Sequence, residues 1–325
     1  MSARPRGFLI LDGNQEHKVL GEPWCLTMET IKLTFLGTGS AIPTKKHNHP
    51  AILASFANEN ILIDCGEGTQ RQFKIAGLNY MKLTRIFITH WHGDHFLGLP
   101  GLFQTLAMQG YDRTLKLYGP KGTKRFIDLI QELVHDYHIN IEVHEVSGKF
   151  INENLFFAEA ADMHHGIPSN AYSITLKDKI KLDKKKLKKL KLPNSPLIGQ
   201  LAAGKDIKHN GKTIKAKNLV YVDKGKKVTF VLDTSYNHNA IELAKNSDIL
   251  IAEASFTEEE TAKAQEYHHL TAPQTAEIAK KSKSKKLIIT HITQRFENNP
   301  NIIEKEAKKV FKNVKLVKDF DVVNF

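Results

Sequence analysis

Short apolar runs recur along most of the chain, separated by glycine, proline and polar residues. Runs of this length and composition predict β-strands, and apolar positions at helical spacing between them predict helices. The predicted strands cover residues 31–36, 51–55, 60–64, 84–89, 115–118, 141–147, 155–160, 171–176, 228–232, 248–253 and 285–290. The predicted helices cover residues 96–108, 122–137, 272–282 and 301–311. Because strands and helices alternate, the fold class is α/β.

Two of the predicted strands end alike, with Thr-His after an apolar run at residues 86–90 and again at 287–291. This echo predicts two sheets, each of which delivers a histidine at the carboxyl end of a strand. A length of 325 residues fits either two domains or one large sandwich. Residues 1–27 have no clear periodicity, so we treat them as an N-terminal appendage to a main body of residues 28–325.

Composition narrows the class of protein. With 41% hydrophobic and 25% charged residues, the chain has material for a core and is not of the disordered or fibrous type. The run at residues 8–11 is too short for a signal peptide, and no stretch approaches the roughly 20 apolar residues of a membrane helix. We therefore expect a cytoplasmic protein without membrane insertion. Cys25 and Cys65 form neither a disulfide framework nor a C-x-x-C pair, so a metal would be held by histidine and carboxylate.

The positive charge is unevenly distributed. The net charge is +12, and residues 1–27 contribute equal numbers of basic and acidic residues. A basic surface attracts polyanions, which makes nucleic acid the leading class of partner. Residues 179–191 hold eight lysines and one aspartate, interleaved with leucines. A charge run is usually a solvated face, so this segment alone does not decide the function.

The strongest chemical signal is the run Thr89-His90-Trp91-His92-Gly93-Asp94-His95, directly after a predicted strand. In an extended exit from a sheet, His90 and His92 project to the same side and can share one metal ion. A turn into the following helix brings Asp94 and His95 to a second ion. The alternative is a polar loop in which Asp94 caps a helix.

A two-metal site needs further ligands, including one that bridges the ions. Asp233 follows a predicted strand, and its two carboxylate oxygens suit a bridge. His291 follows another strand, and either His164 or His165 stands near the end of a third. Each alone is an ordinary polar residue at a strand end, whereas together with the first motif they predict a binuclear centre.

At this point the sequence resembles the metallo-β-lactamase fold family and, within it, the ribonuclease Z family, over about residues 28–325. The broader resemblance rests on the H-x-H-x-D-H run from His90 to His95. The narrower one rests on further motifs at residues 35–39, 64–72, 98–102 and 290–296, of which G-E-G-T-Q-R-Q at 66–72 is the most specific. The resemblance implies a four-layer αββα sandwich with a protruding basic arm.

The resemblance also implies roles for individual residues. One zinc ion would be held by His90, His92, His165 and Asp233, and the other by Asp94, His95, Asp233 and His291. His165 is preferred to His164 because the family pattern continues through Pro168 and Ser169 to Tyr172. Asp94 would orient the attacking hydroxide, and His269 with Glu253 would protonate the leaving oxygen.

The implied activity is zinc-dependent cleavage of the 3′ trailer from precursor tRNA after the discriminator base, leaving a 3′-OH on the tRNA and a 5′-phosphate on the trailer. Two Zn²⁺ per subunit are the expected cofactors, and Mn²⁺ or another divalent ion would also serve. A homodimer is expected from the resemblance. Residues 179–204 would form the tRNA-binding arm, and Lys45 and Asn48 lie in a loop linked in the family to sensing the 3′ end. The expected arm contacts are Lys184, Lys185, Lys186, Lys188 and Lys189.

The chain departs from the family pattern at several places. The histidine expected before Glu253 is absent, Leu270 follows His269 where the family has serine, and His47 replaces an arginine in the 3′-end loop. Two alternatives therefore stay open. One is another hydrolase of the same fold, such as a cyclic-nucleotide phosphodiesterase, and the other is a nucleic-acid-binding module with a structural histidine cluster.

Overall fold

The structure, a computed structural model, describes residues 30–134, 139–190, 192, 195–209 and 211–325. The predicted appendage at residues 1–27 lies outside the described residues. The strands are β1 (Lys32–Gly37), β2 (Ala51–Phe56), β3 (Glu59–Ile63), β4 (Arg85–Phe87), β5 (Leu115–Gly119), β6 (Ile141–Glu145), β7 (Gly148–Asn152), β8 (Phe156–His164), β9 (Pro168–Leu176), β10 (Lys179–Leu182), β11 (Ile207–His209), β12 (Lys212–Ile214), β13 (Val220–Asp223), β14 (Lys227–Val231), β15 (Ile249–Glu253), β16 (Leu287–Thr290), β17 (Val314–Leu316) and β18 (Val322–Asn324).

The α-helices are short. They are α1 (Thr69–Ile75), α2 (Gly93–Phe96), α3 (Leu99–Met108), α4 (Thr123–Val134), α5 (Lys184–Lys189), α6 (Pro196–Ala202), α7 (His238–Leu243), α8 (Thr261–Glu266), α9 (Ala272–Lys281) and α10 (Asn301–Val310). None of these helices, in the part of the chain that the structure describes, has the length and apolar character required to cross a membrane.

Two seven-stranded sheets form the centre of the molecule. Their strand orders are β18-β1-β2-β3-β4-β5-β6 and β17-β16-β15-β14-β9-β8-β7. Each sheet combines an antiparallel part with a parallel part, β3 to β6 in one and β14 to β17 in the other. The two halves of the chain therefore repeat one topology. This confirms the two sheets that were predicted from the Thr-His pair at the end of two apolar strands.

The sheets pack face to face, with helices on their outer faces. One core cluster fills the space between the sheets and includes Phe35, Phe87, Phe156 and Phe230. A second lies between the first sheet and helices α1, α3 and α4, and a third lies between the second sheet and helices α7, α9 and α10. The expected four-layer αββα sandwich is thus confirmed.

Burial on both faces explains why the strands are apolar without interruption. In β15, Ile249 and Ile251 pack between the sheets, while Leu250 packs against the outer helices. Each such side chain contributes roughly 1.5–3 kcal/mol when it is fully buried. Parallel strands covered on both faces have this pattern, so the sequence signal was strong in this part of the chain.

Local sequence also fixes the ends of helices. Helix α9 begins after Thr271, whose side chain accepts a hydrogen bond from the Gln274 backbone N–H while Gln274 reaches back to the Thr271 N–H. This capping box satisfies two donors at the helix start. Thr275, Ile278 and Ala279 then face the sheet at helical spacing.

Between β9 and β14, residues 177–226 leave the second sheet and form a small lobe. The lobe contains two antiparallel strand pairs, β10 with β13 and β11 with β12, and the helices α5 and α6. Leu201, Ile207, Ala216 and Leu219 form its own buried cluster. The predicted arm at residues 179–204 is therefore only the first part of this excursion, because Ile207, Ala216 and Leu219 in its later part complete the cluster.

Most predicted strands and helices occur within a few residues of their predicted bounds. The helix predicted at 96–108 is α3, which begins at Leu99, and a separate short helix, α2, ends at Phe96. The structure describes α4 as far as Val134. Strands β7, β10 to β13, β17 and β18 and helices α1 and α5 to α8 were not predicted from the sequence.

Close approach of two loops near the carboxyl end of β3 depends on glycine. A Cβ atom at Gly98 would lie 2.1 Å from the Gly66 carbonyl oxygen and 2.8 Å from that of Cys65. We expect Gly98→Ala to lower the free energy of unfolding by about 1–3 kcal/mol, because the backbone must move apart. Chemical denaturation of metal-stripped protein measures this change.

Gly199 in α6 is the matched control, since a Cβ there meets nothing within 4 Å. Gly199→Ala should leave stability unchanged or raise it by about 0.5–1 kcal/mol. Equal unfolding midpoints for Gly98→Ala and the wild type would contradict the packing described here.

Candidate metal-binding active site

Polar residues gather at the edge where the parallel strands of both sheets end. Asp64 follows β3, His90 lies shortly after β4, Asp233 lies shortly after β14, Glu253 ends β15, and His291 follows β16. Carboxyl ends of neighbouring parallel strands meet at one edge of a sheet, which is where α/β folds bind ligands. The topology therefore brings together residues that are as much as 227 positions apart in the sequence.

Hydrogen bonds between the two halves fix this edge. The Asn170 N–H donates to the Thr89 carbonyl at 2.8 Å, beside an isolated bridge between His90 and Ser169. The Ile292 N–H donates to the Thr38 carbonyl at 2.8 Å. The backbone next to His90 and next to His291 is thus held by the opposite half of the molecule.

The first group at the edge contains three imidazoles, those of His90, His92 and His165. Their potential ligand atoms lie within 4.8 Å of one another. His92 Nδ1 is 3.0 Å from His165 Nε2. His165 is buried, whereas His164 is exposed at the end of β8. Of the two histidines that the strand pattern left open, the structure thus places His165 in this group.

The second group contains Asp94, His95, Asp233 and His291, again with ligand atoms within 4.8 Å. Asp233 lies between the two groups. Its Oδ2 is 3.5 Å from His95 Nε2 and 3.5 Å from His165 Nε2, and its Oδ1 is 3.1 Å from His291 Nε2. A carboxylate in this position is suited to bridging two cations with its two oxygens.

The buried polar atoms at the centre lack hydrogen-bond partners. These atoms are His90 Nε2, His95 Nε2, His291 Nε2 and Asp233 Oδ1. A buried polar atom without a partner is costly. All four converge on the same small volume, and nitrogen and oxygen donors of this kind suit zinc and related divalent ions. The donor set therefore fits a pair of divalent metal ions.

The outward nitrogens of the same imidazoles are held by the protein. His95 Nδ1 lies 2.6 Å from Asp64 Oδ2, His165 Nδ1 donates to the His268 carbonyl at 3.0 Å, and His291 Nδ1 lies 3.1 Å from Ser255 Oγ. Thr89 contributes to both sides, because its hydroxyl donates to Asp64 at 2.8 Å and lies 3.1 Å from His90 Nδ1. Such contacts orient metal-binding histidines and fix their tautomers.

The site concentrates negative charge. Burial alone would raise the pKa of Asp233, but attraction to His291 and His95 outweighs it and holds the pKa well below its usual value. Burial also opposes ionisation of Asp94, yet attraction to His95 and the nearby His291 imidazole lowers its pKa. Burial lowers the pKa of His90, which favours the neutral imidazole that a metal ion requires.

A separate pair lies beside this centre. His269 Nδ1 is 2.9 Å and 3.0 Å from the two oxygens of Glu253, which is fully buried. Burial lowers the pKa of His269, but the Glu253 and Asp233 carboxylates outweigh it and raise the pKa to about 9. Glu253 is itself fixed by the Thr234 N–H at 2.9 Å and the Ser255 hydroxyl at 2.6 Å.

Three non-glycine residues at the site adopt a left-handed backbone conformation. Asp64 and His268 have φ of 56°, and His291 has φ of 60°. Such residues cost of order 1–3 kcal/mol each and persist where the surroundings hold them. Asp64 and the His268 carbonyl each contact a histidine of the centre, and His291 is itself one of these histidines. The strained backbone therefore lies where the imidazole rings are oriented.

The site opens into a cleft of about 660 Å³. Its lining includes His92, Asp94, Asp233, His269 and His291, together with the loop residues Ser40, Ala41 and His49. Asp319 braces that loop. Its carboxylate accepts hydrogen bonds from the Thr38 N–H at 2.9 Å, the Asn48 N–H at 2.8 Å and Gln72 Nε2 at 3.0 Å.

The predicted substrate-binding residues fall in two places. Lys45 is exposed in the loop of residues 43–48, whereas the Asn48 side chain donates to the Glu67 carbonyl at 2.9 Å and so ties that loop to the G-E-G motif. His47 is buried, with Nδ1 2.7 Å from the Thr38 hydroxyl. The five predicted arm lysines are exposed on α5, and none of them lines the cleft.

Sequence reasoning missed several supporting residues. Asp64 carries the same signal as Asp233, a carboxylate directly after an apolar strand, and could have been found in that way. Ser255 and Asp319 carry no local signal, since their partners His291 and Thr38 lie 36 and 281 positions away, and His49 contacts the Ser40 carbonyl nine positions away.

Comparison with known proteins identifies relatives over most of the chain. A family described as "Anti-Pycsar protein Apyc1" matches residues 31–133. The chain is 39% identical over 296 residues to ribonuclease Z of Archaeoglobus fulgidus, which covers 89% of this chain and 96% of the relative. It is 37% identical over 306 residues to ribonuclease Z of Ligilactobacillus salivarius, with coverage of 90% and 96%.

Among solved structures, the fold is similar to the short form of human tRNase Z, with a TM-score of 0.66 and 28% identity over 90% of this chain and 98% of that one. It is also similar to a metallo-β-lactamase fold protein from Bacillus subtilis, with a TM-score of 0.66 and 19% identity over 91% and 100% of the two chains. The metallo-β-lactamase fold expected from the sequence is confirmed.

We expect Asp64→Asn to weaken divalent metal binding about 10- to 100-fold, because His95 loses the charged partner that orients it. Competition with a chromogenic chelator measures the affinity. The control is Asp248→Asn, since Asp248 accepts from the Lys227 N–H and from Lys285 Nζ just before β15 begins, at the far end of that strand. Unchanged metal affinity in Asp64→Asn would contradict the supporting role.

Proposed function

The chain belongs to the ribonuclease Z family and is a hydrolytic endoribonuclease, and we propose that it removes the 3′ trailer from precursor tRNA by cutting after the discriminator nucleotide. The proposal rests on one observation. The same chain combines two groups of potential metal ligands around Asp233 with a lysine-rich lobe. Relatives named ribonuclease Z cover nearly the whole chain at 33–39% identity, which supports it further.

We propose Zn²⁺ as the ion, with His90, His92, His165 and Asp233 holding one ion and Asp94, His95, Asp233 and His291 holding the other. When bound, such a pair supplies a water molecule whose pKa is lowered to about 7 and neutralises charge on the phosphate. Asp94 lies at the cleft, with Oδ2 3.3 Å from His95 Nε2 and 3.6 Å from His291 Nε2. In our proposal Asp94 orients the attacking water and accepts its proton.

In this proposal His269 protonates the leaving 3′ oxygen. Glu253 occupies its Nδ1, which leaves Nε2 to hold a proton towards the cleft that His269 lines. The proton would pass from Nε2 to the 3′ oxygen as the P–O bond breaks, which gives the 3′-OH on the tRNA and the 5′-phosphate on the trailer. Glu253 would stabilise the cationic imidazole before this transfer.

The lobe supplies the affinity for substrate in this proposal. Residues 177–226 contain sixteen lysines and four aspartates, a net charge of +12, while the remaining residues hold 31 basic and 31 acidic side chains. The whole positive excess of the chain thus lies in the lobe. Lysines that contact phosphates give affinity without reading sequence, and that affinity falls with salt.

The resemblance also leads us to propose a homodimer in the cytoplasm. Met108 on α3 and Leu129 and Leu133 on α4 are large exposed apolar side chains on adjacent helices. A second copy that covered them would remove this surface from water.

Purified protein with Zn²⁺ or Mn²⁺ should cut a precursor tRNA that carries a 3′ trailer at one position, directly after the discriminator nucleotide. End analysis should give a 3′-OH on the tRNA and a 5′-phosphate on the trailer, and His92→Ala should abolish the cut. Hydrolysis of a cyclic nucleotide with intact precursor tRNA would favour the phosphodiesterase alternative. Binding of precursor tRNA without cleavage would favour the nucleic-acid-binding module.

Excision of the lobe should separate substrate binding from chemistry. The Leu176 N–H donates to the Lys226 carbonyl at 2.8 Å, so residues 177–225 can be replaced by an Asn-Gly turn that joins β9 to β14. We expect KM for precursor tRNA to rise strongly and its salt dependence to disappear, while hydrolysis of bis(p-nitrophenyl) phosphate continues at the wild-type rate.

A milder variant replaces the five lysines of α5 with alanine, which should reduce the salt slope by about 0.9 for each phosphate contact that is lost. The control removes the same charge from exposed body positions Lys280, Lys283, Lys305, Lys309 and Lys312. Equal effects of the two quintuple variants on KM would contradict the role given to the lobe.

A further inference from the structure

One large aromatic side chain lines the active-site cleft without being packed away. Tyr267 follows α8 and is 58% exposed, and it lines the same cleft as Asp94, His269 and Asp233. Its hydroxyl has no hydrogen-bond partner among the described residues. Neither full burial nor a hydrogen bond of the hydroxyl holds this ring, so its exposed part is open to a ligand in the cleft.

The backbone holds Tyr267 in a fixed relation to His269. The Tyr267 N–H donates to the Lys263 carbonyl at 2.9 Å, and the His269 N–H donates to the Ala264 carbonyl at 2.8 Å. Between them, His268 has φ of 56° and its carbonyl accepts from His165 Nδ1. The turn that carries the Tyr267 ring is thus part of the same rigid segment that positions His269 and His165.

Layers of planar groups lie behind the Tyr267 ring. Phe256 is nearly parallel to it, with an angle of 7° between the rings and 6.4 Å between their centroids. The Arg295 guanidinium lies 4.8 Å from the centroid of Phe256 and is ion-paired with Glu260. Phe256 also lies 6.0 Å from the His269 ring. This backing is typical of a platform whose open face receives another flat group.

We propose that Tyr267 is a stacking platform for the base of the nucleotide immediately 5′ to the scissile phosphate. The inference rests on the proposed function and names a substrate contact within it. His269 would give its proton to the 3′ oxygen of that same nucleotide, and Tyr267 is two residues away on the same rigid turn. Unpaired bases in RNA are commonly bound by stacking on aromatic side chains, and such contacts tolerate any base.

The test is a cycle of two enzymes and two substrates. Tyr267→Ala should reduce kcat/KM for a precursor tRNA roughly 5- to 100-fold, because one base loses its stacking partner. With the wild type, kcat/KM should fall by a similar factor when the same precursor carries an abasic nucleotide directly 5′ to the cut. On that substrate Tyr267→Ala should cause no further reduction in kcat/KM. Tyr267→Phe keeps the ring and should restore activity on the native substrate.

A precursor with the abasic nucleotide directly 3′ to the cut is the matched substrate control. On this substrate Tyr267→Ala should still reduce kcat/KM by the same factor as on the native precursor. The proposal would be overturned if Tyr267→Ala reduced kcat/KM by the same factor on all three substrates, or did not reduce it on the native precursor. A melting temperature equal to that of the wild type ensures that the comparison is between folded proteins. If the wild type cut no precursor tRNA at all, the proposed function would fail instead.

Discussion

The arrangement depends above all on four buried polar atoms that point at one another without hydrogen-bond partners. His90 Nε2, His95 Nε2, His291 Nε2 and Asp233 Oδ1 come from both halves of the chain and meet where the two sheets abut. A protein interior does not tolerate such a group cheaply. A pair of cations would satisfy all four atoms, and the outward nitrogens are already engaged by Asp64, Thr89 and Ser255, so the rings are oriented before any ion binds.

Other features of the molecule follow from holding these atoms in place. The backbone is left-handed at Asp64, His268 and His291, and Gly66 lies too close to the Asp94 carbonyl to accommodate a Cβ atom. These strained or crowded positions all lie at one edge of the fold. The charge distribution separates the body of the molecule from the lobe. The body of the molecule is electrically balanced and holds the reactive groups, whereas the lobe carries the positive excess that would draw in a polyanion.

How much of this could be read from the sequence depended on how local each signal was. Strands such as β15 were predictable because burial on both faces makes them apolar throughout, and the His90 to His95 run was predictable because four potential ligand side chains stand close together. The strands β11 and β12 were missed because each is only three residues long and contains a lysine. Asp319 could not be found, since its partners Thr38, Asn48 and Gln72 lie at least 247 positions away. The strand pattern did not separate His164 from His165, whereas in the structure His164 is exposed at the end of β8 and His165 is buried beside His92.

The most direct test of the central claim is anomalous X-ray diffraction from crystals of the active protein grown with Zn²⁺. Data recorded on both sides of the zinc absorption edge locate the ions independently of any assumed ligand. The account predicts two anomalous peaks on either side of the Asp233 carboxylate, one beside His90, His92 and His165 and the other beside Asp94, His95 and His291. Active crystals with no peak at Asp233 would contradict it.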